Sequence, residues 1–180
     1  NCIRRANDIS QDGSFIASPE IGIHTDSVFG THHARDTYDL FRTLNVCPNI
    51  FSSALKINTQ YMHIIRYNMR VKGHLSMDTL LTSFEKNKFI ATTHKKSANQ
   101  VFSFGRDHGY YGRIYNHTVV SIPSIYVGQR AGETLISGCC FTPQDGNSLL
   151  SSCAATMYGL FEEEYLDKMK LFDQFLFKQV

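Results

Sequence analysis

The sequence has no long apolar run and little net charge. No stretch of its 180 residues approaches the roughly 18 apolar residues of a membrane helix. The first residues carry no signal-peptide pattern. The net charge of +2 is small, and the lysines and arginines are scattered rather than clustered. We therefore expect neither a membrane nor a nucleic acid among the partners.

Metal-ligand patterns are missing as well. Five cysteines are irregularly spaced, Cys139 and Cys140 are adjacent, and no CxxC occurs together with a second such pair. The eight histidines include His32-His33 but no His-Glu-x-x-His. We expect no metal, no cofactor and a reducing environment.

The composition is that of a folded protein. Apolar residues make up 42% of the chain and charged residues 19%, which is typical of globular domains and not of disordered ones. A chain of this length can bury one sizeable core. We therefore expect one domain spanning residues 1–180, and a monomer.

Hydrophobic periodicity predicts mostly helices in the first half of the chain. A strand or turn pattern surrounds Pro19, and Ser76 is an N-cap candidate with Asp78 in the first turn. The predicted elements are strands at Ser14–Ala17 and Ile21–Phe29, a helix at Asp36–Leu44, one or two helices over Ile50–Val71, and a helix from Ser76 to about Lys86.

After Asn87 the pattern changes to short alternating segments, which favour strands. The predicted strands are Phe89–Ala91, Val101–Phe104, Arg113–Ile122, Ile125–Val127 and Thr134–Phe141. Two helices follow, Ser148 to about Tyr158 and then Phe161–Phe177. Helices, then strands, then helices predict an α+β domain with a small, mainly antiparallel sheet.

One segment, Thr142 to Leu150, predicts chemistry. Gly146 indicates a turn that delivers Ser148 to the first turn of a helix. Backbone N–H groups there lack helical partners, and the helix dipole adds positive charge, so an oxyanion beside Ser148 would meet donors. An ordinary turn with Ser148 as N-cap is the simpler alternative.

The segment Pro143-x-Asp145-Gly146-Asn147-x-Leu149 resembles the nucleophile motif of the OTU (ovarian tumour) deubiquitinases, Asp-Gly-Asn-Cys-Leu. Ser148 stands where that family has its catalytic cysteine. The resemblance implies a papain-like fold of OTU type that cleaves ubiquitin from lysine or from polyubiquitin. It also implies that Asp145, Gly146 and Asn147 form the oxyanion turn, and that serine makes this an inactivated copy.

The order of elements differs from that of the family. Only 32 residues follow Ser148 (180 − 148), none of them histidine, whereas the family has its catalytic histidine near the C-terminus. If the ends are joined and the chain is read from Ser148, the family order reappears. Met77–Leu81, Phe89–Ala91 and Val101–Gly105 then resemble its helix–strand–turn–strand segment. This predicts a circular permutation.

Two histidines compete for the general base. His117 lies where the rearranged order expects it, and we favour it. His24 resembles the family's local His-aromatic-Asp/Asn-Ser pattern, with Asp26 as an orienting acid. Thr follows each histidine where an aromatic residue is usual, and the residue after Thr118 is valine. If His117 is the base, its acid must come from elsewhere, Glu133 or Asp26.

Three alternatives stay open. In the first, the domain is a catalytically dead ubiquitin-binding module with a natural serine. The second is a deamidase-type toxin that uses Cys139, because Leu135–Cys139 resembles the Leu-Ser-Gly-Cys element of those toxins. Such toxins have their histidine downstream, and this chain has none there, so Cys139 and Cys140 are expected to pack in a strand.

The third alternative is a non-enzymatic interaction domain that uses the aromatic-rich residues of Phe161–Phe177, which we otherwise expect in the core.

A permuted OTU domain without a signal peptide resembles bacterial effectors that act in the host cytosol. That localisation is an analogy.

Overall fold

The chain divides into two compact units in the computed structural model, Asn1–Gln60 and Tyr61–Val180. The structure describes residues 2–4, 19–57, 62–108 and 114–180, with only the backbone described for 2–4 and 144–147. The predicted strand Ser14–Ala17 lies outside the described residues. Each unit is described by itself.

Among the described residues of the first unit, the elements are β1 (Cys2–Arg4), β2 (Glu20–Ile21), α1 (His32–Arg42) and β3 (Ala54–Lys56). The central strand β3 runs parallel to β1 and antiparallel to β2. Helix α1 begins four residues before the predicted Asp36 and buries Ala34.

The second unit is built on a mixed sheet. Its strands are β4 (Met62–Lys72), β5 (Ile90–Thr93), β6 (Thr118–Ser121), β7 (Tyr126–Arg130) and β8 (Glu133–Pro143). They include the predicted strands near Phe89, Ile125 and Thr134. An α+β fold with a multi-stranded sheet is thereby confirmed.

Strand β8 is the centre of this sheet. One edge pairs antiparallel with β4 over eleven residues, from Met62↔Pro143 to Lys72↔Glu133. The other edge pairs antiparallel with β7 near the start of β8 and with β6 near its end. Strand β5 lies parallel to β6. The order is therefore β4-β8-β6-β5, with β7 beside β6 on the same edge.

In the described part of this unit the α-helices are α2 (Met77–Glu85), α3 (Ala98–Asp107), α4 (Gln144–Phe161) and α5 (Tyr165–Met169). The predicted cap of α2 is confirmed, because the Ser76 hydroxyl accepts the Thr79 N–H at 3.1 Å. The hydrophobic core packs α3 against one face of the sheet. Its buried residues are Met62, Ala91, Ala98, Val101, Ile114, Val119, Phe141 and Val180.

The helix prediction over Ile50–Val71 is wrong. The apolar spacing of Tyr61, Ile64, Ile65 and Met69 fits a helix, yet the segment from Met62 is strand β4. Eleven consecutive pairs with β8 decide the conformation, since tertiary pairing overrides a local pattern.

Of two further element predictions, the strand Val101–Phe104 is wrong and the helix Phe161–Phe177 is wrong in part. The alternation of Val101–Phe104 indicated a strand, but the segment lies in α3, whose buried Ala98, Val101 and Gly105 have helical spacing. The predicted helix Phe161–Phe177 is interrupted at its start, where Glu162 has φ 46°, and continues as short 3-10 and α-helical turns. Met169 is buried, whereas Leu166 and Leu171 are exposed, so the expected core face forms only in part.

Candidate functional site

The site predicted from the sequence lies where β8 passes into α4. The helix begins at Gln144, directly after the last residue of β8, so the predicted turn at Asp145–Asn147 is the first helical turn. Ser148 is therefore the fifth residue of α4. Because Pro143 is the N-cap, its carbonyl accepts the N–H of residue 147, and the backbone N–H groups without a helical acceptor are those of residues 144–146. Anion-binding donors thus precede the serine by up to one turn.

Ser148 itself is exposed, as is the neighbouring Leu149. The next residue, Leu150, is 1% exposed and anchors the helix. An exposed side chain at the start of a helix is accessible to a macromolecular substrate. Pro143, the N-cap, makes no side-chain capping bond.

His117 lies at the same end of the sheet. Val119, two residues after it, pairs with Phe141, which lies three residues before the first residue of α4. The antiparallel β6–β8 ladder therefore brings the loop 114–117, which ends at His117, near the first turn of α4. This is the histidine that the rearranged order of elements favours.

The surroundings of His117 favour the neutral form of its ring. The imidazole stacks on Phe89, with ring centroids 4.7 Å apart and an interplanar angle of 11°. Its Nε2 is buried and has no hydrogen-bond partner among the described residues. Burial lowers the pKa of His117 below its usual value, because the charged form loses hydration. A neutral ring with a free nitrogen can accept a proton.

A second histidine at this end was missed by the sequence analysis. His63 in β4 pairs with Thr142, two residues before α4, on the opposite edge of β8. It is half-buried. The helix prediction over Ile50–Val71 hid it, because only a strand paired with β8 brings residue 63 beside the start of α4.

Glu133 cannot orient His117. It is the first residue of β8, paired with Lys72 and Arg130, whereas the His117 loop adjoins the end of that strand. Eight residues separate Glu133 from Phe141 (141 − 133), which is about 26 Å of strand. Its carboxylate instead lies 3.9 Å from Arg70. The expectation of an acid at Glu133 is corrected.

His24 and Asp26 belong to the first unit and make other contacts. The His24 ring lies 3.0 Å from the Ser53 hydroxyl. The Asp26 carboxylate accepts the N–H groups of Phe29 and Val28, each at 2.8 Å, and pairs with Arg35. These backbone bonds, then Arg35, lower the pKa of Asp26. Its carboxylate thus holds a turn against α1.

Cys139 and Cys140 lie within β8, as predicted. The Cys139 N–H donates to the Ser124 hydroxyl at 2.8 Å, and Cys140 is buried. Tyr67 lies on the neighbouring strand β4. Its burial and, to a lesser extent, Cys140 and Cys139 raise the pKa of this phenol to about 12. This phenol therefore stays protonated at neutral pH.

Within the described ranges, no group of three or more histidine, cysteine or acidic residues is arranged to hold a metal ion. No helix in those ranges is long and apolar enough to cross a membrane. Compared with known proteins, the sequence matches no family model, and no curated protein matches it either.

Proposed function

We propose that this chain carries the active site of an OTU-type cysteine isopeptidase, a deubiquitinase, at the junction of β8 and α4. Ser148 occupies the nucleophile position, and His117 is the general base. The observation that supports this is the shared end of the β6–β8 ladder. There His117, whose buried Nε2 has no hydrogen-bond partner among the described residues, lies near the first turn of α4 in the strand register.

The chemistry follows from the demands of an amide bond. A thiol at position 148 passes its proton to the imidazole, and the thiolate attacks the carbonyl carbon after the terminal glycine of ubiquitin. Backbone N–H groups at the start of α4 stabilise the oxyanion, and one such donor contributes about 3 kcal/mol. The imidazolium then protonates the departing lysine amine as the C–N bond breaks. Water hydrolyses the thioester.

Serine changes the outcome at the first step. A serine hydroxyl is far less acidic than a thiol, and a base suited to a thiolate does not activate it well. We expect little turnover by this chain, with ubiquitin binding retained. The serine is the specific observation that favours the second candidate function, a ubiquitin-binding module without activity.

Restoring the thiol tests the proposal. We expect the Ser148→Cys variant to form one covalent adduct with ubiquitin that carries a C-terminal electrophile, measured by intact mass. The unaltered chain is the matched control, because its exposed Cys47 and its other thiols report non-specific labelling. An unlabelled variant, or equal labelling of the control, would contradict the isopeptidase.

Binding by the unaltered chain separates the two candidates. Titration of ubiquitin into the Ser148 protein is expected to show saturable binding without cleavage of diubiquitin. If Ser148→Cys is labelled but stays inactive on a panel of diubiquitins, the binding module is favoured over the isopeptidase.

A further inference from the structure

The residue before His117 is tied to the end of the chain. Asn116 is 0% exposed. Its Nδ2 donates to the Phe177 carbonyl at 2.9 Å, and its Oδ1 accepts the Phe177 N–H at 3.0 Å. Both ends of this amide therefore bind the main chain of a single residue, as a β-bridge partner would.

The same side chain reaches the loop before β5. The Asn116 Nδ2 also lies 3.3 Å from the Lys88 carbonyl. One residue further on, the His117 N–H donates to the Phe89 carbonyl at 2.8 Å. The imidazole stacks on the Phe89 ring. Residues 88–89 thus support both the backbone and the ring of the histidine.

The last four residues, 177–180, form a strap along β5. The Thr92 N–H donates to the Lys178 carbonyl at 3.0 Å, and the Val180 N–H donates to the Thr92 carbonyl at 2.9 Å. The buried Thr93 hydroxyl donates to the Val180 carbonyl at 2.6 Å. The strap is therefore fixed to the sheet independently of Asn116.

We propose that Asn116 is a positioning residue for His117. By bonding to the strap, Asn116 holds the loop in place and so keeps the imidazole stacked on Phe89. The inference rests on the proposed function, since it assumes that His117 is the base. Asn116 is not itself the orienting partner of the ring, because its Nδ2 and Oδ1 are both engaged by main-chain groups. It acts by fixing the loop, and a misplaced base costs rate.

The test compares two variants, each of which loses one side chain that forms a hydrogen bond to the strap. Asn116→Ala and Thr93→Val are each introduced into the 180-residue Ser148→Cys protein. Both remove a buried side chain that bonds the strap, but only Asn116 adjoins His117. We expect Asn116→Ala to slow adduct formation on the order of 10- to 100-fold. Thr93→Val is expected to leave the labelling rate within about twofold.

A second readout is independent of activity. NMR of the His117 imidazole reports its stacking on Phe89 through ring-current shifts. We expect Asn116→Ala, and not Thr93→Val, to move these resonances toward those of an exposed histidine. If Asn116→Ala does not fold, Asn116→Asp replaces it, because the carboxylate keeps the acceptor for the Phe177 N–H and loses the donor to the Phe177 carbonyl.

The outcomes separate the two proposals. Unchanged His117 resonances in Asn116→Ala, or equal effects of both strap variants, would overturn the positioning role. If Ser148→Cys is never labelled, the isopeptidase fails, while the NMR comparison still decides whether Asn116 positions the ring.

Discussion

The two halves of the proposed site are held by the fold in different ways. His117 lies in a loop fixed by Asn116, by Phe89 and by the C-terminal strap. Ser148 lies in α4, where Leu150 alone is buried among the residues whose side chains are described. From Ser148 to Phe161 this helix carries no charged residue, yet most of its positions are exposed.

This difference indicates where preorganisation resides. The histidine half has several buried hydrogen bonds, and such regions open only at a high free-energy cost. In the serine half, Leu150 is the one fully buried side chain among those described, while Cys153, Ala154 and Met157 are half-buried. We therefore expect the base to keep its geometry in most variants, and the nucleophile helix to be the sensitive element.

The largest expected effect is at that anchor. Leu150→Ala should lower the free energy of unfolding by about 2–5 kcal/mol, because it removes a fully buried side chain and leaves a cavity. Leu149→Ala is the matched control, since Leu149 is 44% exposed, and should change it by less than about 0.5 kcal/mol. Urea denaturation measures both. Equal losses would mean that α4 is anchored elsewhere.

A smaller effect on the free energy of unfolding is expected at helix N-termini, where one helix has a side-chain cap and another does not. Ser76→Ala removes the hydroxyl that accepts the Thr79 N–H and should destabilise by about 1 kcal/mol. Ser97, at the start of α3, makes no side-chain capping bond, so Ser97→Ala should stay within about 0.5 kcal/mol. Thermal and urea unfolding of both variants measure the difference. A large loss at Ser97 would mean that its side chain does contribute to the start of α3.

The smallest effect is the pH dependence of the histidine half. Because burial lowers the pKa of folded His117, the unfolded chain binds the proton first, at its usual pKa of about 6.5. Proton binding by the unfolded chain therefore does not affect stability above that pH. As the pH falls toward the lower folded pKa, it increasingly lowers the free energy of unfolding. His117→Gln should flatten the decline between pH 7.5 and 5, as measured by urea unfolding at each pH. A variant with the same slope as the parent would show that the ring is not desolvated.

Much of the second unit could be predicted from local sequence. The Ser76 cap, the strand at Phe89 and the strand that leads into α4 all have local signals, and the structure has all three. The boundary of α4 was placed four residues late because Gly146 is a turn former, whereas its backbone is helical here.

The errors arise where long-range pairing decides. The spacing of Ile64, Ile65 and Met69 fits a helix, and only the β8 partner makes β4 a strand. That error concealed His63. The Asn116–Phe177 bonds join residues 61 positions apart, so no local pattern reveals them. Sequence separation likewise could not exclude Glu133 as the acid that orients His117. The register of β8 excludes it, because Glu133 lies at the opposite end of that strand.

Removing each histidine from the Ser148→Cys protein tests the central claim most directly. The rate of adduct formation with electrophilic ubiquitin is measured for His117→Ala, His63→Ala and His24→Ala, with folding checked by circular dichroism. The account predicts that only His117→Ala abolishes labelling. Full labelling of His117→Ala, with loss in His63→Ala or His24→Ala, would contradict it.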